Sequence, residues 1–162
     1  MHYFSTATGI GHNMLRIPIG CSDFYLEKWT YVMDSDNDLQ LLNFTKLNER
    51  DTIRNAAIKE MQQIRGNGID ILLLGASWSP PIWMKQNHQW YCKTDNQLIP
   101  AYYQMMNYDG MNIWGISTGN EPEADNHADW LVDNLVPALK ESGHSDIKIH
   151  IYDHNRDSAI SC

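Results

Sequence analysis

Several common signatures are missing from this chain. Three cysteines in 162 residues, Cys21, Cys92 and Cys162, show no metal-like spacing and cannot all pair with one another. They read as free or buried thiols, not as a disulfide framework. Basic side chains are also few, 12 against 20 acidic, for a formal charge of -8. That balance argues against non-specific nucleic-acid binding, which needs a basic footprint, and suits a soluble surface. No apolar run approaches the roughly 18 residues of a membrane span. The opening Met1-His2-Tyr3-Phe4-Ser5 lacks the basic and apolar regions of a secretory signal, which in a fragment leaves the parent's destination open. There is no G-x-S-x-G elbow, no Walker lysine loop and no H-E-x-x-H pair. His12, His88, His127, His144, His150 and His154 show no spacing that argues for a metal. No cofactor is expected.

What the chain does contain is a globular composition, 43% hydrophobic and 20% charged, arranged as alternating strands and helices. That rhythm points to an α/β fold with parallel strands. A first strand is predicted near residues 13–19. Residues 25–48 have no clear period and read as a long loop at the functional face. A helix is predicted from Glu49 to Arg65, with Asn48 and Asp51 in a capping arrangement and Gly66 and Gly68 beyond its end. Its predicted apolar face is Ile53, Ala56, Ala57, Met61 and Ile64. Residues 69–74 are apolar on both faces, as a buried parallel strand should be. Tyr102, Tyr103 and Met106 suggest a short helical stretch. A second long helix is expected from His127 to Ser142, with a stripe of Ala128, Leu131, Val132, Leu135, Val136 and Leu139. Asp125 or Asn126 would cap it, Pro137 would kink it and Gly143 would stop it. Ile147, Ile149 and Ile151 alternate as a last strand. No internal repeat or low-complexity tract is present beyond this rhythm.

Three segments carry chemistry at strand ends. The run Ile113-Trp114-Gly115-Ile116-Ser117-Thr118-Gly119 breaks at Asn120-Glu121-Pro122, where proline stops the strand. In a (β/α)8 barrel, catalytic groups sit at the C-terminal ends of the parallel strands. A glutamate there suits the general acid/base of a glycosidase, and the adjacent asparagine suits a sugar hydroxyl. Taken alone, the tripeptide is weak evidence and better fits an exposed loop glutamate beside an N-cap asparagine. The run 71–85 contains Trp78-Ser79-Pro80-Pro81 and Trp83-Met84-Lys85 past a second strand. The run 13–24 contains Arg16-Ile17-Pro18-Ile19 and then Ser22-Asp23-Phe24.

Together with Thr30-Tyr31, these ordered motifs resemble the glucosylceramidases of glycoside hydrolase family 30, over about residues 3–156. The resemblance implies a retaining hydrolysis of the β-glucosyl bond of a glycosphingolipid. Glu121 would be the general acid/base, with Asp23, Trp78 and Asn120 holding the sugar. Arg16 would steady the nucleophile carboxylate, although a plain ion pair fits it as well. Trp83 lies further out and reads as structural. The acid/base role asks for partial burial and a second carboxylate about 5–5.5 Å away. In the family that nucleophile lies on the seventh strand, and neither Glu123, Glu141 nor Asp153 has a motif that nominates it.

A full barrel takes roughly 250 residues, so the chain is expected to be a partial (β/α)8 TIM barrel of about four βα units. Residues 1–162 would be a fragment of a glycosidase TIM-barrel catalytic domain, running from the second to the fifth barrel strand. The isolated chain is expected to be inactive. A non-catalytic half-barrel product, or a family member acting on another β-glycoside such as a β-xyloside, is the alternative. The connection from Pro81 to Asn112 is shorter than the family leads one to expect. The resemblance further implies a glycosphingolipid substrate at a membrane surface, a lipid-presenting activator protein in some relatives, and a lysosomal or secreted location. In such a compartment the tripeptide Asn43-Phe44-Thr45 makes Asn43 a glycosylation candidate.

Overall fold

The computed structural model describes residues 3–33, 38, 42–66, 68, 70–84, 88–90, 111–121, 127–151 and 153–154. Four strands, β1 (Met14–Ile19), β2 (Leu72–Ser77), β3 (Ile113–Ser117) and β4 (Lys148–His150), form one sheet in chain order. Every pairing is parallel, with Met14 opposite Leu72 and Ile19 opposite Ser77. Parallel order sends all four C-terminal ends to the same edge. This places the sequence-predicted motifs after β1, β2 and β3 on one side of the molecule.

β2 lies further along the chain than its most apolar residues suggest. It takes in Gly75, Ala76 and Ser77, all buried. These small residues leave room for neighbours, and the Ile19 side chain packs against the site where a Gly75 Cβ would stand. Gly20 follows the same logic more severely. Its φ is +86°, and a Cβ there would lie 2.6 Å from the Ser79 carbonyl oxygen. The ends of β1 and β2 meet this closely because the position has no side chain. β4 is shorter than the alternation of isoleucines predicts, covering Lys148–His150 with Ile149 half-buried and Ile151 exposed.

Helix α1 (Glu49–Arg65) has the predicted bounds because its stop signals are local. The Asn48 side chain accepts from Arg50 N–H, and Gly66 follows with φ +67°. Asp51 makes no cap. The predicted face is corrected: Ile53 is 66% exposed, Ala56 and Ala57 are also exposed, and Met61 and Ile64 are only half-buried. The buried row is Asp51, Asn55, Ile58 and Arg65. Polar groups face inward here because each grips something. Arg54 Nη1 donates to the Pro18 carbonyl (2.9 Å), and Arg65 Nη1 to those of Gly11 (3.0 Å) and His12 (2.5 Å). The Tyr31 hydroxyl donates to Asp51 Oδ2 (2.5 Å), while Arg54 Nη2 lies 3.0 Å from Asp51 Oδ1 as an ion pair without an aligned hydrogen bond. Burial without such partners would be costly.

Helix α2 runs through His127–Trp130, a π-helical turn at Leu131–Leu135, and Val136–Glu141. Pro137 explains the π turn. It has no N–H and its ring crowds the carbonyl one turn back. The preceding turn widens, with Val136 N–H bonding Leu131 O. Leu131, Leu135 and Leu139 are buried, whereas Val132 and Val136 are exposed, so the apolar stripe is narrower than predicted. Gly143, with φ +82°, ends the helix as expected.

The core joins Ile17, Ile19, Leu73, Ile113 and Ile116 of the sheet to Ile58 of α1 and the three leucines of α2. The described parts of the 25–48 loop contain no helix or strand. Tyr25, Trp29, Tyr31 and Phe44 form a row of ring contacts, with centroids 5.5, 5.4 and 5.0 Å apart. Among the described residues, no helix is long and apolar enough to cross a membrane. Cys21 is a free, buried thiol; Cys92 and Cys162 lie outside the described residues. So do Tyr102, Tyr103, Met106, Asp125 and Asn126, together with most of the short connection between β2 and β3.

Candidate active site

Four strand ends contribute to one hydrogen-bonded cluster. From β1 itself, Arg16 projects toward the partners supplied by the others. Its Nε donates to Asp153 Oδ2 at 2.9 Å, its Nη2 pairs with the same oxygen, and Nη2 also donates to Asn120 Oδ1 at 2.8 Å. The guanidinium lies over the Trp78 ring, 4.9 Å from its centroid. Trp78 in turn donates its Nε1–H to Asp23 Oδ1 at 3.0 Å. Asp23, Trp78, Arg16 and Asn120, which are separated by up to a hundred residues in sequence, therefore form one continuous chain of contacts.

Arg16 orients Asn120. A guanidinium only donates, so the amide oxygen must face it and the amide nitrogen must face elsewhere. That nitrogen is then free to donate to a ligand hydroxyl. The backbone beneath it is fixed as well: Asn120 N–H bonds Ser77 O (2.9 Å) and Glu121 N–H bonds Asp153 O (2.9 Å). The turn after β3 is thus pinned to the ends of both neighbouring strands.

Glu121 is exposed, where partial burial was expected, and its φ is +47°. Side chains other than glycine rarely occupy this left-handed region, and such strain concentrates at functional sites. Among the described residues other than glycine, only Val32 and His88 share it. The carbonyl of Val32 accepts from Trp83 Nε1 at 3.0 Å, which holds the long loop against the half-buried Trp83.

Asp153 is the site residue that sequence reasoning missed. No motif marks it, and the sole hint was its place just past the last alternating strand. Its Oδ2 takes the Arg16 donors, and the Ser117 hydroxyl lies 2.9 Å from that oxygen and equally from Gly119 O. With those donors engaged, Asp153 acts on Arg16 and the β3 end; it holds the cluster together. Asp23 receives one donor and keeps acceptor capacity for a ligand. One face of Trp78 is covered by Arg16, so a ring stacked on this indole must use the other.

Asn43 is exposed on the long loop, with its N–H bonded to Asp38 Oδ2 (2.8 Å). A cleft of about 590 Å³ lies along the same loop, lined by Trp29, Tyr31, Phe44, Lys46, Leu47 and Asn48. It contains none of the strand-end cluster and is not the site built above. Among the described residues, no group of three His, Cys, Asp or Glu could hold a metal ion.

Comparison with known proteins gives this geometry a context. The family profile described as the glycosyl hydrolase family 30 TIM-barrel domain matches residues 1–160. The lysosomal acid glucosylceramidase of Mus musculus is 28% identical over 186 residues, covering 95% of this chain and 34% of that protein. An endo-1,6-beta-D-glucanase of Neurospora crassa is 31% identical over 179 residues, covering 94% and 36%. Among solved structures, SrfJ from Salmonella typhimurium superposes with a TM-score of 0.79 at 26% identity, covering 99% of this chain and 39% of that one. The endo-beta1,6-glucanase BT3312 superposes with a TM-score of 0.75, also at 26% identity, covering 98% and 39%. The chain therefore spans about a third of the length of the curated relatives it matches, and its four parallel strands are part of a TIM barrel.

Proposed function

We propose a function from one premise: the chain belongs to glycosyl hydrolase family 30. On that premise, Glu121 is the general acid/base of a retaining β-glycosidase, and Asp23, Trp78 and Asn120 hold the glycone. The observation that carries this reading is the contact chain Asp23–Trp78–Arg16–Asn120, with Glu121 held in a strained backbone beside it.

In the first step Glu121 gives its proton to the glycosidic oxygen as the bond to the anomeric carbon breaks and a carboxylate attacks that carbon. In the second, the Glu121 carboxylate takes a proton from water, which displaces the enzyme carboxylate. Asn120, turned outward by Arg16, donates to a sugar hydroxyl, and Asp23 accepts from another. The nucleophile is assigned to a seventh barrel strand, on the family resemblance. No motif nominates Asp153 for that role, and its Oδ2 serves as the acceptor that ties Arg16 and Ser117 together.

The proposed substrate is the β-glucosyl bond of glucosylceramide, with contact to a lipid surface, a lipid-presenting activator, and a lysosomal or secreted location, where Asn43 would carry a glycan. A second reading, a β-1,6-linked glucan, is favoured by the 31% identity to the Neurospora glucanase. The 162-residue chain alone is proposed to be inactive. Incubated with 4-nitrophenyl β-glucoside it should release no nitrophenol above background; turnover that Glu121→Gln abolishes would overturn that statement.

A further inference from the structure

Asp23 and Trp78 share a hydrogen bond only while the loops after β1 and β2 keep their spacing, and a buried residue joins those loops. Ser79 follows Trp78, and each of its polar groups reaches a different part of the Asp23 loop. Its N–H and that of Trp78 share the Ile19 carbonyl at the end of β1, at 3.3 and 3.1 Å. Its hydroxyl donates to the Cys21 carbonyl at 2.6 Å, two residues before Asp23. Its own carbonyl accepts from Thr30 Oγ1 at 2.5 Å, where the loop returns. Cys21 N–H bonds Trp29 O (3.2 Å), so the two ends of the loop are also joined to each other. Ser79, Cys21, Trp29 and Thr30 are all buried, and a donor lost there is poorly replaced by water. Gly20 lets the tie close, since a Cβ there would also lie 3.1 Å from Ser79 Cβ. The Ser79 hydroxyl accepts from the Cys21 thiol as well, at 3.3 Å. It is engaged by the loop and not presented to a ligand.

We propose that Ser79 is a positioning residue for the glycone: its hydroxyl holds the Asp23 loop where Asp23 Oδ1 can accept from Trp78 Nε1–H. The inference rests on the glycosidase reading and deepens it by naming what sets the spacing of the sugar-holding pair. The 3.0 Å contact within that pair bridges two loops that leave different strands. Asp23 is exposed, so the base of its loop is what restrains it. Glu121 stands outside this tie, because its turn is pinned through the Asp153 and Ser77 carbonyls instead. Loss of the Ser79 hydroxyl should therefore weaken the hold on the sugar and leave proton transfer intact. Kinetically, that is a change in KM without a change in kcat.

The test uses the native-length polypeptide that carries these residues, with nitrogen-15 in its tryptophan indoles for magnetic resonance. Hydrolysis of 4-nitrophenyl β-glucoside is followed in parallel. The Trp78 indole signal is identified by its loss in Trp78→Phe. The Asp23 carboxylate deshields that proton, so Asp23→Ala should move the signal upfield. Ser79→Ala should move it the same way and raise KM about fivefold, the effect of one hydrogen bond, with kcat within about twofold. Thr30→Val, which takes the donor from the Ser79 carbonyl, should act in the same direction and decides the matter if Ser79→Ala fails to fold. Leu139→Val, a truncation in the α2 core with a comparable cost in stability, should change neither the signal nor KM. The Trp114 and Trp130 signals, expected to stay in place in Ser79→Ala, report that the fold is intact. An indole signal unmoved in both Ser79→Ala and Thr30→Val, or moved equally in Leu139→Val, would overturn the proposal. A signal that moves while KM holds would overturn the role of the pair in sugar binding, and that of Ser79 with it. Absence of hydrolysis by the wild type would sink the glycosidase reading itself. The indole signal needs no substrate, so the two failures are told apart.

Discussion

Arg16 and Asp153 lie 137 positions apart and meet as an ion pair between the first strand and the segment just past the last. Both are partly exposed, at 32% and 20% for their side chains. The pair links the two outer strands of the sheet, and Arg16 also sets the direction of the Asn120 amide. Arg16→Met and Asp153→Asn should each lower stability by about 1–2 kcal/mol, as expected for charge-assisted hydrogen bonds. The double variant should lose less than the two losses added. Both single variants should also weaken glucoside binding, because Asn120 is then free to turn. Urea denaturation and a glucoside titration of the three variants check this.

Glu121 gives a second expectation. Its φ of +47° costs a non-glycine residue about 1–2 kcal/mol, partly offset by the entropy that glycine loses on folding. Glu121→Gly should therefore hold or raise stability by up to about 1 kcal/mol, whereas Glu121→Ala should show no gain. A stabilising substitution at the proposed acid/base would mark a position that keeps strain for function. Denaturant midpoints of the two variants decide it.

The buried Asp51 gives a pH dependence. Burial, the largest influence, raises its carboxyl above the ordinary value, against the opposing pull of the Tyr31 hydroxyl and the Arg54 charge. The Tyr31 phenol is pushed up too, by burial first and then by the Asp51 charge, and remains a donor. A folded-state value above the unfolded one means that the folded chain holds this proton more tightly. The stability it contributes is complete below the unfolded value and is lost as pH rises through the folded value. Unfolding free energy should therefore fall as pH increases across that window. Asp51→Asn should remove that part of the slope, as read from urea titrations at a series of pH values.

Local features were legible in the sequence, and features set by distant partners were not. The bounds of α1 followed from Asn48 and Gly66, which act on their own neighbours. Its buried face did not, because Asp51 and Arg65 look solvent-facing until Tyr31 and the Gly11 and His12 carbonyls are placed beside them. Strand β2 was set too early because Gly75, Ala76 and Ser77 carry little hydrophobic signal, yet close packing selects them. Pro137 signalled a distortion, and the widened turn before it is the form that distortion takes. At the candidate site, the motifs at strand ends singled out Arg16, Asp23, Trp78 and Asn120, which the fold brings into contact, and the neighbouring Glu121. They did not single out Asp153, because its role exists only through side chains brought to it by the parallel sheet.

The most direct test of the central claim is the effect of Glu121→Ala on the native-length polypeptide that carries these residues, assayed on a β-glucoside with a poor leaving group. Loss of a general acid/base should slow hydrolysis by about 10²–10⁴-fold. With an activated aryl β-glucoside, whose leaving group needs no protonation, added azide should attack the glycosyl-enzyme without deprotonation, restore turnover and yield β-glucosyl azide. Hydrolysis that continues within about twofold of the wild-type rate would contradict the assignment of Glu121.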